Sequence, residues 1–207
     1  MTQTLARLYD SYEEASRAVR DLEAAHIPHS DISLIANNAD NRYVVKKIDD
    51  EDDAAEGATA GAALGGIIGG GAGLLAGLGI MAIPGVGPVV AAGWLIATLV
   101  GAAAGATVGA ATGGLIGALT ETGVSEEHAH VYAEGVRRGG ALVTVRIEEG
   151  KVALAESILD RHSPIDPDSR GEAYRSAGWS SFDPKLPVYL ADEITRERTL
   201  YRNDRPV

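Results

Sequence analysis

Five histidines and a run of acids are the side chains in this sequence with the most chemical potential, and their spacing limits what they can do. Glu127 and His130 stand three apart on an expected helix, as in one half of a di-iron carboxylate motif. No second half exists, so Glu126, His128 and His130 read as a solvated helix face. His26 and His29 bracket Pro28 in a turn and His162 ends a helix, which are ordinary places for turn and cap histidines. Asp49-Asp50-Glu51-Asp52-Asp53 lacks the spacing and the glycine of a Ca²⁺ loop. It reads as a linker that sets negative charge ahead of a helix N-terminus. No Ser/His/Asp set and no paired carboxylates stand out, so the sequence points away from an enzyme. It implies no metal, no cofactor and no catalytic residue.

Composition narrows the classes further. The formal net charge is −11 and no basic stripe is present, which argues against nucleic-acid binding by phosphate neutralisation. With no cysteine there is no disulfide framework and no thiolate site. Residues Met1 to Arg7 lack the apolar core of a signal peptide, so a cytoplasmic location is expected.

The elements that would position these residues form two similar halves. Thr4–Tyr9 reads as a strand and Ser11 with Glu14 as a capping box. Ala15, Ala18, Val19, Leu22 and Ala25 share one face of the helix that follows, and Asp31–Ala36 reads as a second strand. After the middle of the chain, a helix starts at Ser125-Glu126-Glu127 and ends at Gly139-Gly140. Ala141–Ile147 is the clearest strand, a helix runs from Lys151 to about His162, and Pro164–Asp168 is a short last strand. Strand–helix–strand twice over is the split βαβ, ferredoxin-like order.

Between the halves lies a run of 64 residues, Gly57–Thr120, with no charged residue and no histidine. Glycine recurs at every fourth position: Gly57, Gly61, Gly65, Gly69, Gly73 and Gly77, then Gly101, Gly105, Gly109, Gly113 and Gly117. Eleven helical glycines would cost about 10 kcal/mol against alanine, so close backbone packing must offset them. The run contains no Gly-Lys-Ser/Thr and no G-x-G-x-x-G between a strand and a helix, so a phosphate cradle is excluded. The expected form is two helices of roughly 45 Å joined by a turn at Pro84, Gly85, Gly87 and Pro88. Folding about position 87 pairs Gly73 with Gly101, Gly69 with Gly105, Gly65 with Gly109, Gly61 with Gly113 and Gly57 with Gly117, and sets Ala97 against Gly77. Neither helix has a polar face, so lipid or sister chains must cover them.

Four stretches resemble the bacterial heat-induced general stress protein family, whose members carry a short αβ domain interrupted by a glycine-zipper segment. They are Tyr9-Asp10-Ser11-Tyr12-Glu13-Glu14-Ala15, Asp31-Ile32-Ser33-Leu34-Ile35, Ala82-Ile83-Pro84-Gly85-Val86-Gly87-Pro88 and Gly135-Val136-Arg137-Arg138-Gly139-Gly140. The resemblance spans roughly residues 5–165 and implies a role in general stress tolerance, without catalytic residues or a ligand.

The sequence thus predicts an α+β chain: a discontinuous ferredoxin-like domain at 1–36 and 121–168, an acidic linker at 37–56, a glycine-zipper helical hairpin at 57–120 between the second and third strands, and an extended or partly helical C-terminal arm at 169–207. The arm carries Tyr174, Trp179, Phe182 and Tyr189 as aromatics to dock on a neighbouring subunit, and Ala191–Tyr201 as a short helix. The expected function is a non-enzymatic stress-response protein that self-associates through the hairpin at or in the membrane. The alternative is a soluble homo-oligomer whose αβ domains bind a regulator or partner.

Overall fold

The structure is a computed structural model and describes residues 2–40, 46–47, 74–104 and 110–202. Gly57, Gly61, Gly65, Gly69, Gly73, Gly105 and Gly109, and the acidic run 49–53, lie outside the described residues.

Strands β1 (Thr2–Tyr9), β2 (Ile32–Asn37), β3 (Lys46–Lys47), β4 (Gly79–Ile83), β5 (Gly87–Gly93) and β6 (Ala141–Glu148) form one sheet in the order β1-β6-β2-β5-β4-β3. Every pairing is antiparallel except β3 with β4. Ile165 adds an antiparallel bridge to Leu8 on the outer edge of β1. The helices are α1 (Tyr12–Ala24), α2 (Trp94–Ala104), α3 (Ala110–Glu121), α4 (Glu126–Arg137), α5 (Val152–Asp160), α6 (Pro167–Ser176) and α7 (Ala191–Arg202).

Period-two alternation divides the core between the two faces of the sheet. Leu34, Val143 and Val145 point to the layer built by α1 and α5, where they meet Val19, Leu22 and Leu159. Leu8, Ile35, Val89 and Leu142 point the other way, to Leu95 of α2, Leu119 of α3 and Val136 of α4. A sheet buried on both faces is the result.

Local signals explain the elements that the sequence predicts. The Ser11 hydroxyl accepts the Glu14 N–H (3.2 Å), so the expected cap starts α1. At the end of α4, Gly140 N–H donates to Gly135 O (2.9 Å) and Gly139 N–H to Val136 O (3.0 Å), the paired bonds of a Schellman close. Gly139 holds φ +106°, which the motif requires.

Two expectations need correction. The expected helix-to-helix turn at Pro84–Pro88 is instead a turn between two strands: β4 and β5 are a β-hairpin that extends the sheet beyond β2. The stretch Ile80, Ile83, Val86, Val89 and Val90 is dense in β-branched residues, and β2 would otherwise leave a row of unpaired backbone groups. Sheet hydrogen bonds therefore win over a glycine-poor-fitting helix at this point. The second arm turns helical only from Trp94, where the buried Ser33 hydroxyl accepts the Leu95 N–H (2.8 Å), and α2 packs on α3. The expected last strand reduces to the Ile165 bridge, because Asp166 accepts the Ser169 N–H (2.8 Å) and starts α6 at Pro167.

Candidate functional site

The densest collection of charged and aromatic groups forms where the C-terminal arm crosses the end of α4. Glu134 is fully buried, 0 % exposed, and accepts from Arg137 Nη1 (3.2 Å) and Arg138 Nε (2.7 Å). These three residues share one helix face because they are three and four apart. The arm supplies the remaining partners. Arg138 Nη1 donates to Glu197 (2.9 Å) and to the Tyr201 hydroxyl (3.2 Å), and Arg137 Nη2 donates to the Pro187 carbonyl (2.9 Å). Arg198 donates to Gly139 O (2.8 Å) and to Asp40 (2.8 Å), and Arg170 donates twice to one oxygen of Asp10 (3.0 and 3.1 Å).

Aromatic rings cover these guanidinium groups. Arg138 lies 4.4 Å from the Tyr174 ring centroid, Arg137 4.9 Å from Tyr189 and Arg170 4.6 Å from Tyr201. Tyr174 in turn meets Trp179 and Tyr201 edge-on at 5.6 and 5.3 Å. Burial pushes the Tyr174 phenol well above its ordinary range, against the pull of Arg170 and Arg138. Burial also works against the charge of Arg138, and the Glu134 carboxylate more than offsets it, so that guanidinium is held above its ordinary value. Four arginines thus face four carboxylates. The hole among them has a volume of about 10 Å³, room for a water and not for a substrate. Chemically this is a clasp.

The arm's aromatics, expected to reach a neighbouring subunit, lie on their own chain. Tyr174 is buried against Val131 of α4, Tyr189 stacks on Arg137, and Trp179 packs on Tyr174. Phe182 enters the core under α2–α4, and its backbone N–H donates to His130 Nδ1 (3.1 Å). The sequence signal for this was the pairing of tail aromatics with Arg137-Arg138. The acidic and basic residues around the aromatics hid it by making the arm look solvated.

The clasp also holds the glycine-rich segment. A Cβ on Gly85 would run into Pro184 and Phe182, and one on Gly87 would touch Val188 at 3.3 Å, so the strap 182–188 lies across the β4–β5 turn. Pro84 stays exposed at the tip, and Pro88 is the second residue of β5, paired with Ala82, its carbonyl accepting the Asn38 N–H (2.8 Å). Of the expected helix-packing glycines, Gly77 sits in a 3₁₀ turn before β4, so its pairing with the exposed Ala97 of α2 is not a helix–helix contact. Gly101 lies in α2 and Gly113 and Gly117 in α3, whose backbone kinks at Gly114.

The histidines are dispersed. His128 pairs with Asp168 (2.9 Å) and His162 with Asp21 (2.9 Å), while Glu127 is taken by Arg175 (3.1 Å). Among the described residues, no three His or acidic groups are placed to hold a metal ion.

A cleft of about 580 Å³ opens at the far end of the sheet, where β1 begins and β6 ends. Ile27, Pro28 and Asp31 wall it on one side, and Thr2, Arg146, Ile147, Glu148 and Lys151 on the other. Arg146 is fixed there: it lies 4.8 Å from the Trp94 ring centroid, and its Nη2 donates to Ser30 O (2.9 Å) and Asp31 (3.0 Å).

The described residues define a mixed α/β domain, with a long sheet between helical layers and a buried arginine–tyrosine clasp that binds its tail. Residues 4–85 match the family described as the heat induced stress protein YflT domain, which bears out over that stretch the resemblance carried by its sequence motifs. The match runs from β1 through β4 into the turn; the clasp arm lies outside it. No curated protein and no solved structure matches the chain.

Proposed function

We propose that this chain is a non-enzymatic stress-response protein that works by self-association, with sister chains covering its small-residue segment. The YflT match supports the stress role. The strand order Ile165, β1, β6, β2, with α1 and α5 on one face, supports a ferredoxin-like core as the platform. One observation carries the association: a Cβ placed on Gly114 or Gly117 of α3 meets no described atom within 4 Å, so the small-residue surface of that helix has no cover among the described residues. Small residues let a second backbone approach closely.

Sister chains suit the geometry better than lipid. The turn that would sit at the far end of a membrane hairpin lies on the sheet beneath the strap, and no helix among the described residues is long and apolar enough to cross a membrane.

Light scattering on the purified full chain tests this. The expected species is heavier than the 21.4 kDa chain. Gly117→Leu should shift it toward one chain with no loss of thermal stability, since leucine favours a helix over glycine by about 0.8 kcal/mol. Gly150→Leu, equally open but outside the segment, should change nothing. A mass of one chain at every concentration, or indifference to Gly117→Leu, overturns the reading.

A further inference from the structure

The cleft at the end of the sheet has no part in the clasp or the glycine-rich segment, and its lining is chemically particular. Its volume of about 580 Å³ falls in the usual range for a small-molecule site, roughly 300–1,000 Å³. Two cations, Arg146 and Lys151, face two carboxylates, Asp31 and Glu148. Among the described residues only Arg146 and Asp31 are paired with each other; Glu148 and Lys151 make no salt bridge. Arg146 spends its Nη2 on Ser30 and Asp31 and keeps Nη1 without a partner, while the Trp94 ring and those bonds hold the guanidinium still. Buried Ile27 and Ile147 add an apolar wall. One buried polar atom of the lining, Arg146 Nε, also lacks a partner. Orphans of this kind are few in folded proteins and call for an explanation such as a bound molecule or water.

A plain anion would meet as many acids as bases in this cleft. A molecule carrying both charges would pair each side. We propose that the cleft binds a free α-amino acid with an apolar side chain, its carboxylate on Arg146 Nη1 and Lys151, its ammonium on Glu148, and its side chain against Ile27 and Ile147. Charge-assisted hydrogen bonds at both ends would set the specificity. This inference is independent of the self-association reading.

The test is calorimetric titration of the full-length protein with L-leucine, with leucinamide, which lacks the carboxylate, and with 4-methylpentanoate, which lacks the ammonium. Leucine should bind saturably, and each truncated probe about tenfold more weakly or worse. Glu148→Gln and Lys151→Ala should each weaken leucine at least about fivefold. Both residues are exposed, so melting temperature should hold and a loss would not be unfolding. No saturable binding of leucine at about 10 mM, equal binding of leucine and 4-methylpentanoate, or full affinity in both variants overturns the proposal.

Discussion

Gly85 lies so close beneath Pro184 that position 85 has no room for a single methyl group: a Cβ there would overlap the proline backbone and press on Phe182. The turn between β4 and β5 and the C-terminal strap are therefore fitted to each other, although a hundred residues of chain separate them. This contact ties the middle of the glycine-rich run to the end of the protein.

A ladder of alanine substitutions measures that fit. Gly85→Ala combines a positive φ of +75° with the overlap and should lower stability by about 2–4 kcal/mol. Gly123→Ala has a positive φ of +95° but open space, and should cost about 1 kcal/mol. Gly150→Ala has neither penalty and should be near neutral. Urea unfolding of the three variants gives the order; a Gly85→Ala loss no larger than that of Gly123→Ala would show that the strap does not bear on the turn.

Glu134 is the keystone of the clasp because it is the fully buried carboxylate between Arg137 and Arg138. Glu134→Gln should destabilise by about 3–5 kcal/mol, since it leaves buried guanidinium charge uncompensated. Arg138→Met added to Glu134→Leu should recover only the share of that loss carried by Arg138, because Arg137 stays buried without its carboxylate. Denaturant midpoints of the single and double variants provide the check, and a loss below about 1 kcal/mol would mean a solvated pair.

The parts of this fold that are legible in the sequence are those with one apolar side and a marked end. Ser11 and Glu14 announce α1, Gly139-Gly140 close α4, and the β-branched run 141–147 gives β6. The β4–β5 hairpin is illegible for a physical reason. Val89 and Ala91 point to one helical layer and Val90 and Ala92 to the other, so both faces are apolar and no alternation marks a strand. Glycine spacing then supplies a helical period that the chain does not use at residues 79–93. The clasp was half visible. Gly135-Val136-Arg137-Arg138-Gly139-Gly140 stands out as a motif, yet its partners Glu197, Tyr201 and Pro187 are about fifty to sixty residues away along the chain, beyond the reach of local periodicity.

Burial distinguishes the tail's apolar residues sharply. Phe182 is 8 % exposed and packs into the core, whereas Leu190 is 69 % exposed. Phe182→Ala should cost about 3–5 kcal/mol, and Leu190→Ala less than about 0.5 kcal/mol. Limited proteolysis adds a local readout: Phe182→Ala should open the strap to cleavage near Pro184–Pro187 under conditions in which the Leu190→Ala chain stays whole. Equal resistance of both variants would place the anchoring of the arm entirely in the clasp's arginines.

Alkaline pH should unfold the protein through its tyrosines. Burial raises the phenol pKa of Tyr9 and Tyr174 strongly, and those of Tyr132, Tyr189 and Tyr201 in the same direction. In the unfolded chain these groups ionise near pH 10. Between that value and the raised folded values, the native state holds more protons than the unfolded state, so stability falls as pH rises. The stabilising contribution is fully present below about pH 10 and is lost above it, at up to about 1.4 kcal/mol per pH unit for each fully protected phenol. Phenolate absorbance at 295 nm should therefore rise together with the loss of helical circular dichroism, in one cooperative step above pH 10. Tyr9→Phe removes one phenol, at the expense of its hydrogen bond to the Leu159 carbonyl (3.0 Å), and should make the alkaline limb shallower. Absorbance that rises fully while the helical signal stays intact would show these phenols to be open to solvent in the folded protein.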